Sequence, residues 1–454
     1  MASIWCAQGE RDPYCQERVP VDSDSGEPEL LAIVGVSARY CTTEPRTPCP
    51  PLLQGESELV PNDNQYPPLF HFVMSWFVGS SVEVSIVLMR LISAFIVSSL
   101  LALTMWLFPP RYRLVLLLVI LTSFTTQGFF LLASINPSSW AVVGVGVGWL
   151  ALHAALAPGE QSKERRIALA CACLLAWVMA IGSRWDAVGF VGFSTILTSV
   201  HLVRFRSSRY RSTLFLGLLI LGAILSVIAS RFPLINPFNV VPKLFSYSAG
   251  EPDNIAFFSQ NLLNGLPDAL KSLEEVAAHP NVYLPGIVFP LALILLSYLM
   301  ILSFNRGDRL QLLGFVVSSV FISLVFMAWH ALRNERDATE LSSRYSLPLL
   351  VFAVGWWYLL GPDDLKSSVS KHLKVASALA TAIFALTVFT FTERNVDIQT
   401  LGLRYLPEGL DQWWWTWMPV GPNVLVILAP VSLWKFFRSF SRGVTLAKLD
   451  RIVA

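Results

Sequence analysis

Runs of about 20 apolar residues recur along this chain, and that recurrence constrains the fold more than anything else in it. A helix needs roughly that length to cross the hydrocarbon core of a bilayer. Eleven such runs occur, at 84–107, 112–133, 139–157, 167–183, 187–203, 212–230, 284–304, 311–330, 345–361, 375–392 and 420–437. A shorter apolar stretch at 67–79 reads as a re-entrant or interfacial segment. The expected fold class is an all-α polytopic membrane protein with about 11 transmembrane helices and extracytoplasmic loops.

Composition agrees and closes off other classes. Hydrophobic residues make up 54% of the 454 and charged residues 14%, against about 25% charged in soluble domains. A set of soluble domains, a disordered tail and a disulfide-dense miniprotein are all excluded as descriptions of the whole chain. The 33 basic and 31 acidic residues nearly cancel, with no basic block on a polar face, so no nucleic-acid partner is expected.

The connecting loops alternate in charge. Loops 108–113, 158–166, 204–211, 305–310 and 361–374, with the tail from 435, hold 19 Lys and Arg against 6 Asp and Glu. The rest of the chain holds 14 basic and 25 acidic residues. Short Lys/Arg-rich loops stay cytoplasmic. The reading is a plasma-membrane protein with a cytoplasmic C-terminus and residues 1–80 extracytoplasmic. Three parts follow: an acidic extracytoplasmic segment 1–66, a multi-pass membrane domain 67–437 with a large outside loop 231–283, and a basic cytoplasmic tail 438–454. An odd number of spans puts residue 1 outside, yet no signal-peptide pattern precedes the first span. The expectation is that an upstream transmembrane helix is missing from this chain.

Four of the six cysteines, Cys6, Cys15, Cys41 and Cys49, fall in the outside segment. Disulfides are expected there if the segment faces an oxidising compartment. Pairing Cys6 with Cys15 and Cys41 with Cys49 is one of three connectivities. Four free thiols in a cytosolic tail is the alternative, which the topology disfavours. Cys171 and Cys173 lie two apart in a span, point in different directions, and read as small packing residues.

Several polar motifs sit at the outside ends of spans. Tyr66-Pro67-Pro68-Leu69-Phe70-His71 suits a helix start at the membrane surface; the functional alternative makes Tyr66 and His71 the edge of a substrate pocket. Asn136 suits an N-cap and Pro137 the first helical position; a helix start also attracts phosphate. Gly144, Gly146 and Gly148 alternate inside a span and lack the strand and acid of a nucleotide loop. The spacing of Gly144 and Gly148 suits close helix packing. Arg184 and Asp186 lie in a short outside link, either as a structural ion pair or as functional charges at the membrane face. Arg344, followed by Tyr345, ends a charged outside loop; a guanidinium there either anchors headgroups or grips a phosphate through its fork. Trp413, Trp414, Trp415 and Trp417 read as an aromatic belt. The six histidines are scattered. No HExxH, GxSxG, Walker sequence or metal-ligand cluster occurs, so no metal or cofactor is expected.

Together, Cys41 and Cys49, Tyr66-Pro67-Pro68-Leu69, Arg90-Leu91-Ile92-Ser93 and Ala133-Ser134-Ile135-Asn136-Pro137 resemble a family of predicted bacterial membrane proteins. It is the domain-of-unknown-function family two-one-four-two, especially its actinobacterial branch. Ser183-Arg184-Trp185-Asp186, Ser343-Arg344-Tyr345-Ser346-Leu347-Pro348 and the Trp-rich segment extend the match over most of 40–437. The family looks distantly similar to GT-C glycosyltransferases, which use polyprenyl-phosphate sugars on the outer membrane face.

That resemblance implies a GT-C-like glycosyltransferase in cell-envelope glycan assembly. Its partners would be membrane lipid, a polyprenyl-phosphate sugar donor and an envelope glycan acceptor. Arg344 would hold phosphate with Tyr345 beside it, Arg184 and Asp186 would line the cavity, Tyr66 and His71 would form its rim, and Asn136 at its helix start would also bind substrate. Such proteins usually begin with a helix followed by an outside acidic pair that stands in the place of the base. Asp22, Asp24, Glu27 and Glu29 follow no span and do not match it, so no catalytic residue is assigned. The alternatives are a transporter or translocase of lipid-linked sugars, and a truncated, non-catalytic member.

Overall fold

Proline and small polar residues set where the helices begin. The computed structural model describes residues 67–78, 82–124, 127–132, 134–157, 162–203, 270, 287–304, 309–333, 347–361, 372–395 and 422–446. Among these residues all regular structure is helical. The helices are α1 (Pro68–Ser75), α2 (Val82–Leu107), α3 (Pro110–Ser123), α4 (Gln127–Leu132), α5 (Pro137–Leu156), α6 (Lys163–Ser183), α7 (Asp186–Val203), α8 (Val288–Leu302), α9 (Arg309–Arg333), α10 (Leu347–Leu359), α11 (Leu373–Asn395) and α12 (Pro422–Leu446). Proline opens α1, α3 and α5, where its missing N–H costs no helical hydrogen bond. Ser162 caps α6 by accepting the Arg165 N–H.

Three of these helices are long and apolar enough to cross a membrane: Val84–Leu107, Pro137–Leu156 and Lys163–Ser183. Shorter apolar helices run over Asp186–Leu202, Val288–Leu302, Arg309–Val325, Leu347–Leu359 and Leu373–Val388. The expected run 212–230 lies outside the described residues. The expected single span 112–133 is divided: α3 ends at Ser123, and α4 is a separate helix of 6 residues. The apolar stretch 67–79 holds an 8-residue helix, far short of a membrane crossing.

Helix α5 is the hub. It is buried nearly all round and packs on α6, α7 and α10. Its three glycines make this close approach, each toward a named neighbour. A Cβ on Gly144 would stand 2.4 Å from the backbone oxygen of Ala176 on α6. One on Gly148 would meet the Trp177 ring at 2.5 Å, and one on Gly146 would meet Val351 of α10 at 2.6 Å. The alternation thus serves two partners, Gly144 and Gly148 turning to α6 and Gly146 to α10. Every residue of α10 is also buried.

Around this centre, helices show one apolar face outward. On α6, Ile167, Leu174, Leu175 and Val178 are exposed; on α2, Val84, Leu88, Leu91 and Phe95 are. These positions recur at helical spacing on one side. Continuous apolar stripes of this length suit hydrocarbon, not water.

The helices alternate in direction, as their ends show. The starts of α3 and α6 meet the finishes of α2, α5, α7 and α10 at one end of the bundle. Arg111 of α3 donates to the carbonyls of Leu359 and Gly361, both at 2.8 Å, closing α10. Arg165 of α6 donates to Leu107 O at 2.6 Å, closing α2. Cations at helix finishes satisfy orphan carbonyls and match the helix dipole. The opposite end carries the starts of α5 and α7 and the finish of α6.

Candidate functional site

Two of the outside motifs are brought into contact at that opposite end. Asn136 is extended and caps α5, its Oδ1 accepting the Ser138 N–H at 2.9 Å. Ser139 Oγ donates to Asn136 O at 2.7 Å. Helix α6 stops at Ser183, where Arg184 turns to an extended conformation, and α7 starts two residues later at Asp186. This sharp exit swings the Arg184 side chain back over the start of α5.

Arg184 then ties the junction together. Its Nε donates to Asp186 Oδ1 at 2.8 Å, and its Nη2 donates to the other carboxylate oxygen. Its Nη1 donates to Ser138 Oγ at 2.7 Å. The guanidinium is 4% exposed and the carboxylate 25%. All three guanidinium nitrogens are therefore engaged, and a fork this complete holds its partner in one orientation. Asp186 also sits in the first turn of α7, where the helix dipole favours negative charge.

Helix α1 lies against the same end. Leu69 fills the space over Gly182, where a Cβ would come within 2.4 Å of it. The Phe70 ring meets Trp140 edge-on at a 5.2 Å centroid distance. His71 is exposed and stands edge-on to Phe70 at 5.6 Å. Trp140, in the first turn of α5, is buried with no hydrogen-bond partner for its indole N–H.

The structure thus brings Arg184, Asp186 and Asn136 together, with His71 on the neighbouring helix. Tyr66, Arg344 and Tyr345 lie outside the described residues, as do Cys6, Cys15, Cys41 and Cys49, the Trp413–Trp417 cluster and, residue 270 aside, the 231–283 loop. Cys171 is exposed and Cys173 buried, and both are free. Ser138 was not singled out from the sequence, although it directly follows Asn136 and Pro137, which were.

The histidines are less scattered than they read. Tyr112 Oη and His153 Nδ1 are 2.8 Å apart, and His153 Nε2 and His201 Nδ1 are 3.0 Å apart. The two imidazoles stack at 5.1 Å. This buried chain braces α3, α5 and α7 at the Arg-rich end, opposite the Arg184 junction. The signal was present: His153 and His201 each lie within a turn of the same end of a span. Tyr298 and His372 form a second pair, linking α8 to the start of α11. Among the described residues no group of three or more His, Cys, Asp or Glu side chains could hold a metal ion.

The family model described as "Predicted membrane protein (DUF2142)" covers residues 39–353. No curated protein and no solved structure matches the chain.

Proposed function

The chain belongs to the DUF2142 family of predicted membrane proteins, and on that premise we propose that it is a GT-C-like glycosyltransferase. It takes a sugar from a polyprenyl-phosphate carrier at the outer membrane face, in cell-envelope glycan assembly. The observation that supports this best is the Arg184 junction, which fastens the starts of α5 and α7 to one face. Two helix starts side by side favour a departing phosphate. The Trp140 N–H adds a buried donor that no protein group claims.

Roles divide accordingly. Arg184 is a positioning residue, since its fork is taken up by Asp186 and Ser138. Asp186 is a wall of the cavity and not its base, because both of its carboxylate oxygens are taken up by Arg184. Arg344 is the phosphate-gripping cation of the proposal, with Tyr345 beside it, and Tyr66 and His71 form the rim. The test is purified protein in vesicles with radiolabelled polyprenyl-phosphate sugar and an envelope glycan acceptor. Label passes to the acceptor, and Arg344→Ala abolishes that transfer while Arg344→Lys restores only part of it. Unchanged transfer in Arg344→Ala removes the phosphate assignment.

A second reading, a translocase of lipid-linked sugars, draws on the interruption between α3 and α4. Discontinuous helices are a feature of transporters. Movement of the labelled lipid across the vesicle without any transfer decides for it.

A further inference from the structure

The Arg-rich end holds two like charges on one set of acceptors. Helix α2 finishes at Leu107, and its last carbonyls point out of the helix with no intrahelical donor. Arg113 of α3 donates from Nε to Phe108 O at 2.7 Å and from Nη2 to Trp106 O at 3.0 Å. Arg165 of α6 reaches the same place from the other side. Its Nε donates to Leu107 O at 2.6 Å, and its Nη2 lies 3.4 Å from Trp106 O and 3.3 Å from Phe108 O. The two guanidinium groups therefore share two carbonyls.

Capping explains one of them, not both. A helix finish offers the equivalent of about half a negative charge, against two full positive charges. Neither Arg113 nor Arg165 has a carboxylate partner among the described residues: the ion pair there joins Arg184 and Asp186, at the opposite end. Both side chains are half-exposed, and so is the approach to Trp106 O. Beside them the Trp106 side chain is 72% exposed and Leu103 is 41% exposed, on the outward apolar face of α2. A cationic pair at the membrane surface with apolar side chains running inward below it matches a lipid that is anionic above and hydrocarbon beneath.

We propose that Arg113 and Arg165, over the finish of α2, form a seat for one anionic phospholipid of the leaflet on the Arg-rich side. The headgroup phosphate lies between the two guanidinium groups, and an acyl chain runs along Trp106 and Leu103. This seat is at the opposite end from the Arg184 junction and is independent of the transferase reading.

The test is native mass spectrometry of the full chain released from detergent, titrated with phosphatidylglycerol, phosphatidylcholine and inorganic phosphate. The wild type retains phosphatidylglycerol in preference to phosphatidylcholine, and added salt weakens the retention. Arg113→Gln together with Arg165→Gln weakens it about twenty-fivefold, on a worth of about fivefold for each cation near an anionic surface. Since the double variant also uncaps α2, the single Arg113→Gln is measured beside it. There Arg165 still holds all three carbonyls, and a loss of about fivefold is expected in a chain with unchanged helix content. Equal retention of the two lipids by the wild type overturns the proposal, as does unchanged retention in the variants. Displacement of phosphatidylglycerol by equimolar inorganic phosphate overturns it too, since the site would then take a free anion and not a lipid.

Discussion

At the scale of single residues, Arg184 shows how a buried charge is made tolerable. Transfer of an unpaired guanidinium out of water is costly, and removing one partner of a buried pair costs about 3–5 kcal/mol. The fork to Asp186 and the third bond to Ser138 remove that cost by leaving no guanidinium nitrogen unengaged. Two substitutions test the pairing. Asp186→Ala leaves the cation uncompensated and lowers stability by about 2–4 kcal/mol, the smaller end reflecting the partial exposure of Asp186. Arg184→Lys keeps the charge but cannot reach both carboxylate oxygens and Ser138 at once, so it recovers less than half of the stability lost in Arg184→Ala. Thermal unfolding in detergent reads both. Equal midpoints for Arg184→Lys and wild type would make the fork dispensable. From the sequence the pair was legible as charges in a short link, but Ser138 was not. It lies 46 positions away, and only the folding of α6 back along α5 closes that distance.

At the scale of elements, the seam between α5 and α6 depends on atoms that are missing. A methyl group on Gly144 would collide with the Ala176 carbonyl, a backbone atom that cannot rotate aside. Gly144→Ala is expected to destabilise by about 1–3 kcal/mol through overpacking. Gly189 of α7 is the control. Nothing lies within 4 Å of a Cβ there, so Gly189→Ala is neutral or stabilises by up to about 1 kcal/mol through helix propensity. The same thermal measurement covers both, and a destabilised Gly189→Ala with an unaffected Gly144→Ala would refute the packing argument. The spacing of the glycines announced close packing. It did not announce that Gly146 faces a third helix, because α10 begins some 200 residues later and no local pattern encodes which helix arrives. The division of 112–133 into α3 and α4 was hidden for a related reason. No charged residue interrupts 114–133, so a hydropathy average over the run passes over the polar Thr125-Thr126-Gln127-Gly128 stretch where the two helices divide.

At the scale of the whole molecule, the two ends differ in chemistry. One end has arginines on helix finishes and the Tyr112–His153–His201 brace; the other has the Arg184 junction and the aromatic packing of α1. Charge bias in the loops predicts a cytoplasmic arginine end. Single-cysteine variants test that assignment with a membrane-impermeant thiol reagent on intact cells, in a background lacking the native cysteines. Cysteine in place of Ser208, in the 204–211 loop, stays unlabelled until the membrane is opened. Cysteine in place of Ser248, in the 231–283 loop, labels at once. The reverse pattern would invert the topology and move the Arg184 junction to the cytoplasmic face, where an outer-face transferase has no use for it.

Apolar runs and loop charges are one-dimensional quantities, so the amino-acid sequence alone determined that this is a helical membrane protein of the DUF2142 family. It also determined where several helices begin, because Pro and Asn act on the backbone within two or three residues of themselves. What the tertiary structure decided was which distant side chains share a place. Ser138 meets Arg184, His153 meets His201, and Arg113 meets Arg165 over the finish of α2. Those meetings depend on the order and closeness with which helices stack. That stacking follows from steric fit between faces that, in sequence, all look equally apolar.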